Sequence, residues 1–424
     1  MSSPPTRRRW LPARPPALAH VDFRRYLVAR FVVALAIQML VVAVGFQVYD
    51  VTHNALDLGL IGLSQFLPFV LLILPAGHVA DAFDRRRILA LTTAVLVCVA
   101  AGLALISANG LRDATPVLGM MALFGAARAF SGPSSQSLVP NLVPPHDFGN
   151  AVALSSSTFQ VATIAGPAIG GLLLLFGPTV VYATVAALLT AATVLIIALR
   201  GGGRGDVARE PMSLTSLFSG VRFVRSRPIV LGSISLDLFA VLFGGATALL
   251  PIYAADILHV GPDGLGVLRA APAIGATGCG AFLAARSLQR GVGRWLFGGV
   301  IAFGVGTIVF ALSTSFLLSF AALVAMGASD MVSVYVRHLL VQLATPDVIR
   351  GRVSAVNSVF INASNELGEF ESGLTASWWG PVSAAVVGGL ATIAVAFTWA
   401  VLFPILRHLD RFPEPDREAI PPEG

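Results

Sequence analysis

Gly77-His78-Val79-Ala80-Asp81-Ala82-Phe83-Asp84-Arg85-Arg86-Arg87-Ile88-Leu89 joins two long apolar runs. Residues 68–79 lead into it without a formal charge, and after Arg87 the chain is apolar again as far as Asn109. Three consecutive arginines do not sit in hydrocarbon, so the stretch is a short loop at a membrane surface. Asp81 falls where one helix ends, and Arg85, Arg86 and Arg87 open the next.

Composition widens that reading to the whole chain. It is 56% hydrophobic and 12% charged, with mean hydropathy +0.81, whereas soluble domains carry about 25% charged residues. This is an integral membrane protein. The net charge of +6 comes from 28 arginines and no lysine, spread over many short loops, so no nucleic-acid surface is expected. Cys98 and Cys279 both lie inside apolar runs, which excludes a disulfide framework. The N-terminal thirty residues lack an apolar core with a cleavage site, so no signal peptide is read.

Apolar segments recur on both sides of this loop at about the 20-residue length that crosses a bilayer. They fall near residues 26–49, 58–80, 87–109, 115–138, 150–176, 179–199, 229–252, 264–285, 295–313, 316–340, 350–377 and 380–404. The predicted fold is therefore all-α, with twelve transmembrane helices in two pseudo-symmetric six-helix halves. Residues 1–22 read as a disordered basic tail, 23–200 as the first half and 229–405 as the second. A linker at 201–228 carries an amphipathic helix along the membrane surface, and 406–424 form a second tail. With the N-terminus inside, all the arginines but Arg112, Arg128 and Arg269 lie in the tails, in the even-numbered loops or at the span ends that border them. Both termini are thus expected to be cytoplasmic.

The chain repeats itself. Gly125, Pro144, Gly149, Gly166 and Gly171 match Gly327, Pro346, Gly351, Gly368 and Gly373 at one constant offset, and Pro68 and Arg86 match Pro272 and Arg290 at another. A parallel duplication of six spans leaves this trace. The loop Gly77-x-x-x-Asp81-x-x-x-Arg85-Arg86 resembles the signature between spans 2 and 3 of the major facilitator superfamily. Val79, Ala82 and Asp84 stand where that motif has Leu, Arg and a second Gly. The resemblance implies a gating role for Gly77, Asp81, Arg85 and Arg86. Asp81 is expected to accept from free amides at the start of span 11, between Asp347 and Arg352.

Several intramembrane residues are candidates for a transport route. In span 5, Gly166-Pro167-Ala168-Ile169-Gly170-Gly171 resembles the signature of proton-coupled exporters in the superfamily, with Ala162 in place of an upstream glycine. Gly166 and Gly170 share a face that permits close helix approach, expected here against span 8; the alternative is simple packing. Arg128, near mid-depth in span 4 within Phe124-x-x-x-Arg128-x-x-x-Gly132, resembles the span 4 signature of the same exporters, with Ser131 where Gln is usual. The repeat places Arg128 opposite Asp330 of span 10, and an ion pair between them is expected, either as a coupling device or as a permanent structural pair. In span 11, Asn362, Glu366 and Glu369 share one face. Two carboxylates this close in a low-dielectric setting do not both ionise cheaply, which suits a proton carrier. Asp237 in span 7 is a further candidate, whereas Glu371 falls near the outer surface.

No His-Glu-x-x-His, no Walker-type loop and no metal-ligand spacing occurs, so neither an enzyme nor a cofactor is expected. Residues 23–405 as a whole resemble a major facilitator transporter of the enterobactin-exporter-like branch, as in Asp237-Leu238-Phe239-Ala240-Val241-Leu242-Phe243-Gly244-Gly245 and Asn365-Glu366-Leu367-Gly368-Glu369-Phe370. The resemblance implies a monomeric secondary active transporter in the bacterial inner membrane. It would export a siderophore or drug-like organic molecule by alternating access against proton entry, surrounded by lipid. An importer of a small solute is the alternative within transport. A non-transporting scaffold or sensor is the alternative outside it, and has no need of buried charges.

Overall fold

The computed structural model describes residues 15–201, 221–286 and 288–413. Among them, twelve long helices run in sequence: α1 (Val21–Thr52), α2 (Ala55–Ala82), α3 (Arg85–Ala108), α4 (Thr115–Leu138), α5 (Phe148–Leu174), α6 (Pro178–Ile197), α7 (Pro228–Phe243), α8 (Gly261–Ala285), α9 (Val292–Leu312), α10 (Phe316–Leu343), α11 (Asp347–Trp379) and α12 (Pro381–Leu402). Among the described residues ten spans are long and apolar enough to cross a membrane. The remaining two, α4 and α11, carry Arg128 and the Asn/Glu run. An even number of crossings puts both chain ends on one face, the terminus side; the other is the far side.

Local chemistry sets the helix boundaries. The Asn54 side chain accepts from the Leu56 N–H at 3.0 Å and starts α2, and Asp84 does the same for Arg86 at 2.9 Å at the start of α3. Span 7 is broken: α7 stops at Phe243, Gly244 and Gly245 follow, and the chain continues as a short 3-10 turn and a π-helical turn, Tyr253–Ile257. The duplication survives in backbone detail. His53 ends span 1 with φ 48° and His259 follows span 7 with φ 51°; Gly177 and Gly380 turn into α6 and α12 with φ 98° and 82°, each before a proline at the first helical position.

Close packing follows the repeat as well. A Cβ on Gly125 would overlap the Gln65 backbone of α2, and one on Gly327 would overlap the Pro272 backbone of α8. Without a hydrophobic force between helices in lipid, such small-residue contacts supply the packing attraction. Toward the far side one apolar core joins Met39 and Val44 of α1, Met121 and Phe124 of α4, Leu249 and Tyr253 of span 7 and Leu268 of α8. Toward the terminus side the core divides into separate clusters, one around Tyr26, Leu142 and Ile196, another around Leu236, Leu296 and Leu340.

The tails differ from expectation where they are described. Residues 15–22 are ordered: Pro16–Ala19 form a 3-10 turn, Ala17 is buried with its N–H near Asn150 Oδ1 (3.3 Å), and α1 begins at Val21. Leu406 is buried, and the Leu409 carbonyl accepts from the Gly293 N–H at 2.8 Å, which binds residues 406–410 to α9. Most of the expected amphipathic helix, residues 202–220, lies outside the described residues. Its end at Val224 packs with Val230, Val341 and Val353.

Candidate substrate and proton pathway

Two helix pairs join the halves near the far side, and both meet glycine to glycine. A Cβ on Gly171 of α5 would lie 2.8 Å from Gly266 Cα of α8; one on Gly373 of α11 would lie 2.6 Å from Gly59 Cα of α2. Gly171 and Gly373 are repeat partners, so a single contact is used twice. Gly166 and Gly170 do not take part, contrary to expectation: they face Gln38 and Met39 of α1. One further residue turns a helix by about 100°, and that rotation moves the next face, with Gly171, onto α8. Pro167 is buried beside it, its carbonyl 2.5 Å from a Cβ placed on Gly266. At the far end, the Tyr49 hydroxyl of α1 donates to Asp256 in the π-helical turn of span 7.

Just inside this closure lie the buried charges. Arg128 of α4 donates to Glu366 Oε1 of α11 at 2.9 Å and lies over the Phe124 ring at 5.7 Å. The pair crosses from one half to the other. Arg269 of α8 stands 3.8 Å from Glu369 Oε1 and donates to the Thr247 carbonyl, which the break in span 7 exposes, at 3.2 Å. Asp330 does not pair with Arg128, contrary to what the repeat predicts. It lines a cavity of about 240 Å³ within the second half, together with Glu369, Asn365, Thr247, Gly245 and Phe303. The repeat fixes depth but not rotation: Arg128 projects across the interface, Asp330 into its own half.

The other candidates separate. Asn362 donates to the Ser358 carbonyl of its own helix at 2.8 Å, and Glu371 makes no ion pair among the described residues. Asp237 is not on the cavity wall; it is buried against Arg337 of α10, with side-chain exposures of 8% and 5%. The arginine distribution along the sequence puts Arg337 with the surface loops. Close to the end of the predicted span 316–340, it reads in the sequence as a surface arginine, and the packing of α7 against α10 buries it on Asp237. In the charged loop, Arg86 donates to the Leu199 carbonyl and Arg25 to the Ala198 carbonyl at 2.9 Å, so both arginines cap the carbonyl end of α6. Gly77 is buried, as is Arg85. The Asp81 side chain lies outside the described residues, as do those of Asp347 and Arg350. Among the described residues no group of His, Cys, Asp and Glu side chains could hold a metal ion.

Sequence comparison agrees with this architecture. The chain is 26% identical over 404 residues to the enterobactin exporter EntS of Shigella dysenteriae serotype 1, covering 93% of this chain and 94% of the relative. It is 27% identical over 406 residues to EntS of Citrobacter koseri, with the same coverage. Among solved structures, a bacterial homolog of the human lysosomal transporter Spinster, inward-facing and unoccupied, superposes with TM-score 0.72 at 15% identity, covering 93% of this chain and 97% of that one. The nucleoside transporter NupG gives 0.68 at 12% identity, covering 90% and 99%. The model of the transmembrane secretion effector family matches residues 14–420. Twelve helices in duplicated halves, closed on one side around buried charge, and a family match over nearly the whole length place this chain in the transmembrane secretion effector family of major facilitator transporters.

Proposed function

We propose that this protein exports a small organic molecule across the bacterial inner membrane by alternating access, coupled to proton entry. The observation that carries the proposal is the Arg128–Glu366 pair, which ties the two halves together beside the cavity lined by Glu369 and Asp330. Protonating Glu366 would release its hold on Arg128 and remove one tie that keeps the far side shut. Glu369 and Asp330, within the same region, are placed to pass the proton on. Residues 23–200 and 229–405 act as the two moving halves, with 201–228 as the linker and the chain working as a monomer in lipid. The arginine distribution supports cytoplasmic termini, so the far side would be periplasmic and the described state open inward. The names of the relatives support export and a siderophore-like or other organic substrate.

Transport in inverted vesicles, with an imposed pH gradient and a panel of siderophores and drug-like compounds, tests the reading. Glu366→Gln and Glu369→Gln are expected to abolish gradient-driven accumulation yet retain substrate exchange without a gradient, because exchange needs no net proton movement. Gradient-driven accumulation at the parent rate in both variants would refute the proton-carrier role. Movement of substrate in the opposite direction would favour an importer.

A further inference from the structure

One cleft near the charged loops lies outside the transport route. It has a volume of about 490 Å³ and runs between α9 and α10, with Arg294, Trp295, Gly298 and Gly299 on one wall and Ser329 and Val332 on the other. On α9, Trp295, Gly298, Ala302, Val305 and Leu312 are exposed at helical spacing, which marks the face turned toward lipid. Gly298 opens the cleft, since a Cβ there would meet nothing within 4 Å. Gly299, one residue on, brings α9 close to α10: a Cβ there would already lie 3.0 Å from the Ser329 carbonyl oxygen. The cleft starts in the first turn of α9 and reaches Ala302, about 12 Å along the helix from Arg294. It is thus charged at the membrane surface and apolar at depth.

Among the described residues no hydrogen bond or ion pair engages the Arg294 guanidinium or the Ser329 hydroxyl. The backbone amides at the start of α9 are already taken: Gly291 donates to Asp410 Oδ1 at 3.0 Å and Gly293 to the Leu409 carbonyl at 2.8 Å. An anion at this end would therefore be held by the guanidinium and not by the helix terminus. Trp295, 49% exposed, stands at the level where indole rings favour the boundary between headgroups and hydrocarbon.

We infer that this cleft is a binding site for an anionic phospholipid of the leaflet on the terminus side, its phosphate on Arg294 and one acyl chain along Gly298 and Val332. Charge complementarity selects the headgroup class, and the open Gly298 admits the chain. A zwitterionic lipid fits the apolar part but presents less net negative charge to the guanidinium.

The test is native mass spectrometry of the full-length protein with phosphatidylglycerol and phosphatidylethanolamine supplied in equal amounts. The parent protein is expected to retain phosphatidylglycerol preferentially. Arg294→Gln should reduce that preference about fivefold, the factor one arginine contributes at an anionic membrane surface. Gly298→Leu should reduce retention of both lipids, while Arg290→Gln, in the neighbouring loop outside the cleft, should leave the preference unchanged. Thermal melting checks that each variant is folded; if Arg294→Gln does not fold, Gly298→Leu and Arg290→Gln still decide. No headgroup preference in the parent, equal loss in Arg290→Gln, or undiminished retention in folded Gly298→Leu would overturn the assignment.

Discussion

Replacing Arg128 by glutamine removes the cation that links α4 to Glu366 of α11 at 2.9 Å. The strength of this link is bounded on both sides. Fully exposed pairs contribute about 0–1 kcal/mol, and breaking a fully buried pair costs about 3–5 kcal/mol. Arg128 is 34% exposed at its side chain and Glu366 13%, so a coupling of about 2 kcal/mol is expected, between those limits. That corresponds to a shift of roughly thirtyfold in the balance between far-side-closed and far-side-open states, if the pair exists only in the first. Spin labels at His53 and His259, both exposed at the far-side ends of spans 1 and 7, would report the balance as a distance distribution. Arg128→Gln and Glu366→Gln should each move the population toward the longer distance. The double variant should move it no further than the larger single effect, because both remove one interaction. Strictly additive shifts, or distributions identical to the parent, would refute the idea that this pair holds the halves together.

The other predictions concern packing and closure. Gly171→Leu inserts a side chain where a Cβ already meets Gly266 Cα at 2.8 Å, so it should open the far side and impair transport while each half stays folded. Gly166→Leu instead collides with Gln38 of α1, in the same half, and should lower the melting temperature through about 1–3 kcal/mol of overpacking; the reverse pattern would refute the assignment of faces. Asp237→Asn leaves Arg337 buried without its counter-charge and should destabilise the second half by about 3–5 kcal/mol, seen as lost expression or a lowered melting point. Unchanged stability would mean that the pair is not structural. Tyr49→Phe removes the donor to Asp256 and should favour the far-side-open state by roughly tenfold, on about 1.5 kcal/mol for a bond to a charged acceptor; labels at the same two histidine positions check it.

The membrane class, the twelve spans and the duplication are legible in the order of amino acids alone. Those rest on properties that are local or linear: bilayer thickness sets the length of an apolar run, arginine marks where it ends, and a constant offset between glycines records the repeat. That order also showed which spans carry charge, since Arg128, Asp330, Glu366 and Glu369 stand out in hydrocarbon at any rotation. It did not show Arg337 as buried, because a position close to the end of the predicted span 316–340 reads as a surface arginine and its burial depends on Asp237 of another helix. Which side chain meets which is settled by the docking of the helices. Partnership depends on how each helix is rotated about its axis and how one half docks on the other, and neither quantity has a sequence period. Arg128 therefore found Glu366 across the interface instead of its repeat partner Asp330, and Gly171, not Gly166 or Gly170, became the contact with α8. In lipid, where all outward faces are alike in hydrophobicity, backbone approach at glycine and the pairing of buried charge settle those rotations.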